Sequence, residues 1–162
     1  MVERFLFMVT FVTALGCGLI AGLFFAFSVA VMQALARLPS AGGIAAMQAM
    51  NSAILNPLFL SVFLGTRAGS ALIIVTALLC WHSPRSAYLL VGGTLYLAGS
   101  LVVTIVFNVP KNDALASVAP ADPESARLWA RYLERWTTWN HVRTVASLAA
   151  AAALILGLCY VE

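Results

Sequence analysis

Of the 162 residues, 62% are hydrophobic and 9% charged, and the mean hydropathy is +0.97. So few charges cannot tile a water-facing surface, which excludes an ordinary soluble domain. The net charge of +3 comes mainly from connections beside apolar segments, without a basic run or interleaved stacking motif, so nucleic acid is not an expected partner. The lipid bilayer is. A hydrocarbon layer of about 30 Å demands roughly 20 apolar residues per helix, and the chain has room for four such spans in one transmembrane domain over residues 1–162. The expected class is all-α: an integral membrane four-helix bundle with a short interfacial helix between spans one and two and an extended fourth helix.

The first span is expected over residues 5–35. Ala34-Leu35-Ala36 has the small-x-small form of a leader cleavage site, but the apolar run before it is about twice the length of a signal h-region, so a retained span is expected. Gly18 and Gly22 form a small-x-x-x-small pair suited to close helix packing. Pro39, Gly42 and Gly43 read as a break, followed by a short interfacial helix over 44–55 that carries Gln48, Asn51 and Ser52. Asn56 can then cap a new helix, with Pro57 in its first turn.

The second span, 57–81, carries Arg67 near its middle. A charge at that depth must face protein or water, so Arg67 is either a binding-site residue or a snorkelling one, and the sequence leaves both open. A tight connection, 82–86, leads to a third span over 88–107, where Gly92, Gly93 and Gly99 mark close packing. Residues 108–123 read as a loop. Beyond it the pattern is helical and amphipathic, and it passes without Pro or Gly into the fourth apolar span, 140–161, so one unbroken rod from near Pro123 to near Val161 is expected, its first part clear of the bilayer.

Basic residues outside the spans divide two against six: Arg4 and Arg85 on the side of the termini, and Arg37, Lys111, Arg127, Arg131, Arg135 and Arg143 on the other. The positive-inside rule then places the protein in an inner or plasma membrane with the two long connections in the cytoplasm. Cys17, Cys80 and Cys159 lie in or at the ends of apolar spans with no metal-ligand spacing, so neither a disulfide nor a metal centre is expected. The two histidines, His82 and His141, are expected on opposite faces of the membrane, which argues against a multi-histidine site.

At 100° per residue, Trp129, Tyr132, Leu133, Trp136, Asn140 and Arg143 share one helix face, and Arg127, Arg131, Glu134 and Arg135 the other. Interfacial aromatic belts account for part of this. Asn140, His141 and Arg143 bring two donors and an imidazole to one turn, where His141 is either a general base or a hydrogen-bonded interfacial side chain. The end of span three supplies Asn108, Pro110, Asn112 and Asp113 on the same side, so the two polar clusters are expected to converge.

Asn108-x-Pro110-x-Asn112-Asp113, Trp129-x6-Trp136-x2-Trp139-Asn140-His141-x-Arg143, Gly22-x2-Phe25-x-Phe27-Ser28 and Asn56-Pro57 together resemble the anthrone-oxygenase-like family of small four-span membrane proteins. The resemblance implies oxygenation of a lipophilic polycyclic anthrone to an anthraquinone by molecular oxygen, with no metal or organic cofactor. It implies functional positions at Asn108, Pro110, Asn112, Trp139, Asn140, His141 and Arg143. On this reading His141, Arg143 and Asn140 are catalytic, Asn108, Pro110, Asn112, Trp136, Trp139 and Arg67 bind substrate, and no residue binds metal. Arg67 stands outside the family pattern. Two competing readings are an assembly protein, which leaves a homo-oligomer open, and a lipophile-binding or transport module.

Overall fold

In the computed structural model, which describes residues 2–79 and 84–160, every element is helical. Four helices are long and apolar enough to cross a membrane: α1 (Glu3–Ala36), α3 (Pro57–Leu79), α4 (Arg85–Ala116) and α5 (Ser125–Cys159). The shorter α2 (Ser40–Ala53) joins α1 to α3. The chain is thus a four-helix membrane bundle. Cys80 and His82 lie outside the described residues, as do the expectations placed on them.

The spans form a ring in which α1 packs on α3 and α5, and α4 on α3 and α5. Glycines set the approach. A Cβ at Gly16 or Gly69 would meet the side chain of Thr66 or Thr13, and one at Gly99 would meet Ala146. At Gly92 and Gly93 it would come within 3.1 Å of the Ala150 carbonyl and 2.9 Å of the Ser70 carbonyl. Gly18 and Gly22, by contrast, have no neighbour within 4 Å. They face outward, so the pair expected to bring helices together does not do so within this chain.

The helices of 34, 32 and 35 residues outlast the 23-residue α3. Their surplus gathers on one side, where Met32, Leu35, Ile44, Met47, Leu115, Trp129, Tyr132 and Trp136 form a second core cluster. The expected loop over 108–123 is therefore corrected: α4 continues to Ala116. Pro110 has no N–H and would clash with the preceding turn of a regular helix. Here that turn is widened into a π turn at Thr104–Asn108, so the helix passes the proline rather than ending before it.

The short helix also starts earlier than expected. Gly42 and Gly43 lie inside α2, and a Cβ at Gly43 would come within 2.7–3.0 Å of the Trp129 indole. The glycine serves close docking of α2 on α5 rather than a break. As expected, Asn56 caps α3, its Oδ1 accepting from Phe59 N at 3.0 Å, and α5 is unbroken over 35 residues. The first half of α5 is not a bare rod, because α2 and the ends of α1 and α4 cover its aromatic face.

Candidate functional site

The face drawn on α5 is the buried one. Trp129, Tyr132, Trp136, Asn140 and Arg143 are each at most 5% exposed, whereas Arg127, Arg131, Glu134 and Arg135 are exposed. Asn140 is fully buried and uses its whole amide. Its Nδ2 donates to the Phe24 carbonyl and to Ser28 Oγ, each at 2.7 Å, and its Oδ1 accepts from Arg143 Nη2 at 2.6 Å. These bonds fall where α1 begins its own π turn, Phe27–Val31, so a departure from regular winding coincides with the polar cluster on α1 as it does on α4.

Arg143 is the centre of the arrangement. Its Nη1 donates to Thr104 Oγ1 at 3.2 Å, and its guanidinium lies over the Phe24 ring at 4.2 Å and the Trp136 ring at 5.2 Å. Nε is buried without a hydrogen-bond partner. Among the described residues the sole ion pair is Arg127–Glu124 at the surface, so no carboxylate neutralises Arg143. Removing a guanidinium from water costs several kcal/mol unless it is compensated. Two hydrogen bonds and two aromatic faces offset part of that, and three of the five guanidinium N–H groups make no hydrogen bond among the described residues.

A cavity of about 560 Å³ opens on this arginine. Its apolar walls come from Phe24 and Phe27 of α1, Met50 of α2, Phe59, Leu60 and Phe63 of α3, Ile105 of α4 and Trp136 of α5. Polar groups enter at Gln48, Asn51, Thr104, Asn112, Asp113, Arg67 and Arg143. Asn112 Oδ1 accepts from both Tyr132 Oη and Trp136 Nε1 at 2.8 Å. With its oxygen so committed, Asn112 can offer the cavity only its NH2 group. Gln48 is held by donating to the carbonyls of Leu115, in the last turn of α4, and Val118, just beyond it, at 2.8 and 3.0 Å. The size and the mixture of aromatic wall with a few fixed donors are those of a small-molecule pocket.

The structure brings Asn112, Trp136, Arg67 and Arg143 onto this cavity, with Asn140 directly behind Arg143. Arg67, left open between binding and snorkelling, lies on the wall with its guanidinium 4.1 Å from the Phe63 ring centre. Asn108 is buried one layer back, its Nδ2 donating to the Trp136 carbonyl at 3.2 Å. Pro110 is exposed, and Trp139 stacks on Phe107 at 3.6 Å away from the cavity.

His141 is not in the constellation. It is exposed and lines a separate groove with Gln33, Glu134 and Thr137. The reason is helical geometry: Asn140 points to the centre of the bundle, and the next residue is turned by 100°. Phe24, Phe63, Thr104, Gln48 and Asn51 are cavity residues that sequence reasoning did not assign to the site. Gln48 and Asn51, one turn apart on a short helix whose other residues are small or apolar, carried the one signal that could have found them. Among the described residues no three His, Cys, Asp or Glu side chains gather as metal ligands.

A family model described as anthrone oxygenase matches residues 58–153. No curated protein and no solved structure matches the chain.

Proposed function

The chain belongs to the anthrone oxygenase family, and from that premise we propose that its cavity oxidises a lipophilic polycyclic aromatic of the anthrone type with molecular oxygen. The observation that carries this reading is a buried guanidinium without a carboxylate partner, Arg143, at the wall of an aromatic cavity. An anthrone has a methylene between two aromatic rings and opposite a carbonyl. Loss of one methylene proton gives an enolate, whose oxygen is where negative charge develops, and Arg143 supplies a preorganised cationic donor for it. Asn112, with only its NH2 to offer, is a second donor. Because His141 faces away, the proton acceptor we assign is Asp113, a solvent-exposed residue that lines the same cavity.

The enolate then reacts with O2 at the former methylene carbon to give a hydroperoxide. Elimination of water takes the second methylene hydrogen and leaves a carbonyl. One oxygen atom ends in the quinone and the other in water. The four-electron oxidation of the methylene matches the four-electron reduction of O2, so the reaction calls for no external reductant.

The test is quinone formation from anthrone by purified protein in bicelles, measured against spontaneous autoxidation. Arg143→Ala should lower the rate by roughly a hundred- to a thousandfold, as loss of an oxyanion donor does. Asp113→Asn should lower it by about a hundredfold. Turnover no faster than autoxidation, or undiminished in Arg143→Ala, would overturn the assignment. We also place the cavity mouth on the cytoplasmic side, from the two-against-six division of basic residues. A cysteine at position 119 should then resist an impermeant thiol reagent in intact cells, and ready labelling would reverse the orientation.

A further inference from the structure

Arg67 is not explained by fold or by the oxygenation chemistry. It stands ten residues from Pro57 and twelve from Leu79 within a continuous α3, about 15 Å and 18 Å along the helix axis, further than its side chain can carry the charge to either end. Its Nε is buried and makes no hydrogen bond. Its guanidinium lies over the Phe63 ring, one turn away on the same helix, and Tyr96 of α4 is an electrostatic neighbour, but among the described residues no carboxylate pairs with it. Arg67 nevertheless lines the cavity that Arg143 lines from α5. Two cations therefore face one apolar space with a single carboxylate, Asp113, on its wall.

We propose that the natural ligand carries a carboxylate of its own, held by Arg67, in addition to the ring oxygen held by Arg143. This rests on the reading of the cavity as the substrate site and names the class: a polycyclic aromatic acid rather than a neutral polycycle. Charge balance supports it. With a monocarboxylate bound, the ligand and Asp113 together offset both guanidiniums. When Asp113 takes the methylene proton the charge moves to the enolate and the total is unchanged, so two cations still face two anions. The planar fork of arginine matches a carboxylate bidentately. A neutral ligand would leave one cation without an anion in a medium where that is costly.

The experiment compares two probes of the same shape, anthraquinone-2-carboxylate and anthraquinone-2-carboxamide, by quenching of tryptophan emission in detergent-solubilised protein, since Trp136 forms a wall of the cavity. The intact protein should prefer the carboxylate by about tenfold or more, the size of a charge-assisted hydrogen bond. That ratio should fall to near one in Arg67→Gln and take an intermediate value in Arg67→Lys, which keeps the charge but loses the fork. If both probes bind the intact protein equally, the inference fails and the cavity assignment stands. A preference that survives Arg67→Gln and disappears in Arg143→Gln would give the carboxylate to Arg143 and also overturn the inference. If neither probe binds the intact protein, the cavity assignment falls and takes the inference with it.

Discussion

The two ends of the bundle are built by different means. In the all-span half, helices touch through glycine: Gly99 against Ala146, Gly92 against Leu154, Gly93 against Ile74. Helices come close at these positions, as expected where lipid supplies no hydrophobic drive to association. In the half where α2 is added, one glycine contact remains, Gly43 against Trp129, and the helices are otherwise held by aromatic rings and amide hydrogen bonds, through Asn140, Asn112, Gln48 and Asn108. Long side chains fill the space between the helices, and the 560 Å³ cavity lies where the two halves meet. Close packing makes the scaffold, and directional polar packing makes room for a ligand.

Asn140→Leu should break this contrast most severely. It removes both anchors on α1 and strips Arg143 of its shortest hydrogen bond, at a cost of about 3 kcal/mol. Catalysis should fall with it, because the guanidinium loses its orientation. Unfolding in sodium dodecyl sulfate followed by circular dichroism measures the first effect and quinone formation the second. If stability drops while turnover survives, Asn140 is only a strut.

Next in size is Gly99→Ala. The added methyl meets Ala146 directly, and overpacking of this kind costs about 1–3 kcal/mol. Gly18→Ala sharpens the point with the opposite sign: the position is open, so better helix propensity should raise stability by up to about 1 kcal/mol. Equal losses at both positions would mean that Gly18 packs against another molecule, and the same unfolding titration decides it.

These contrasts also explain what could be read from the chain. The α5 face from Trp129 to Arg143 was legible because one unbroken helix obeys one period. The continuation of α4 was not, since Pro110 reads as a break and the π turn that accommodates it leaves no hydrophobic pattern. Phe24 and Phe63 look like any lipid-facing phenylalanine, because the register between α1 and α3 is set by contacts across helices, Gly16 with Thr66 and Gly69 with Thr13, rather than by spacing within one. The family string made His141 look like a partner of Asn140 and Arg143 because the three are neighbours in sequence, and adjacency along a helix is not adjacency in space.

The smallest expected effect is therefore at His141, and it bears most directly on the site. An imidazole acting as the general base would be worth about a hundredfold or more in rate. An exposed side chain in the groove with Gln33 and Glu134 should matter little, and His141→Gln should leave stability within about 0.5 kcal/mol and turnover within about twofold. The comparison with Asp113→Asn makes the experiment decisive, because both replace a titratable group by its amide-bearing counterpart on the same side of the bundle. Only one of them lines the cavity. A large loss in His141→Gln with Asp113→Asn unaffected would move the chemistry to the outer groove between α1 and α5, and Arg143 would then be a buried structural cation.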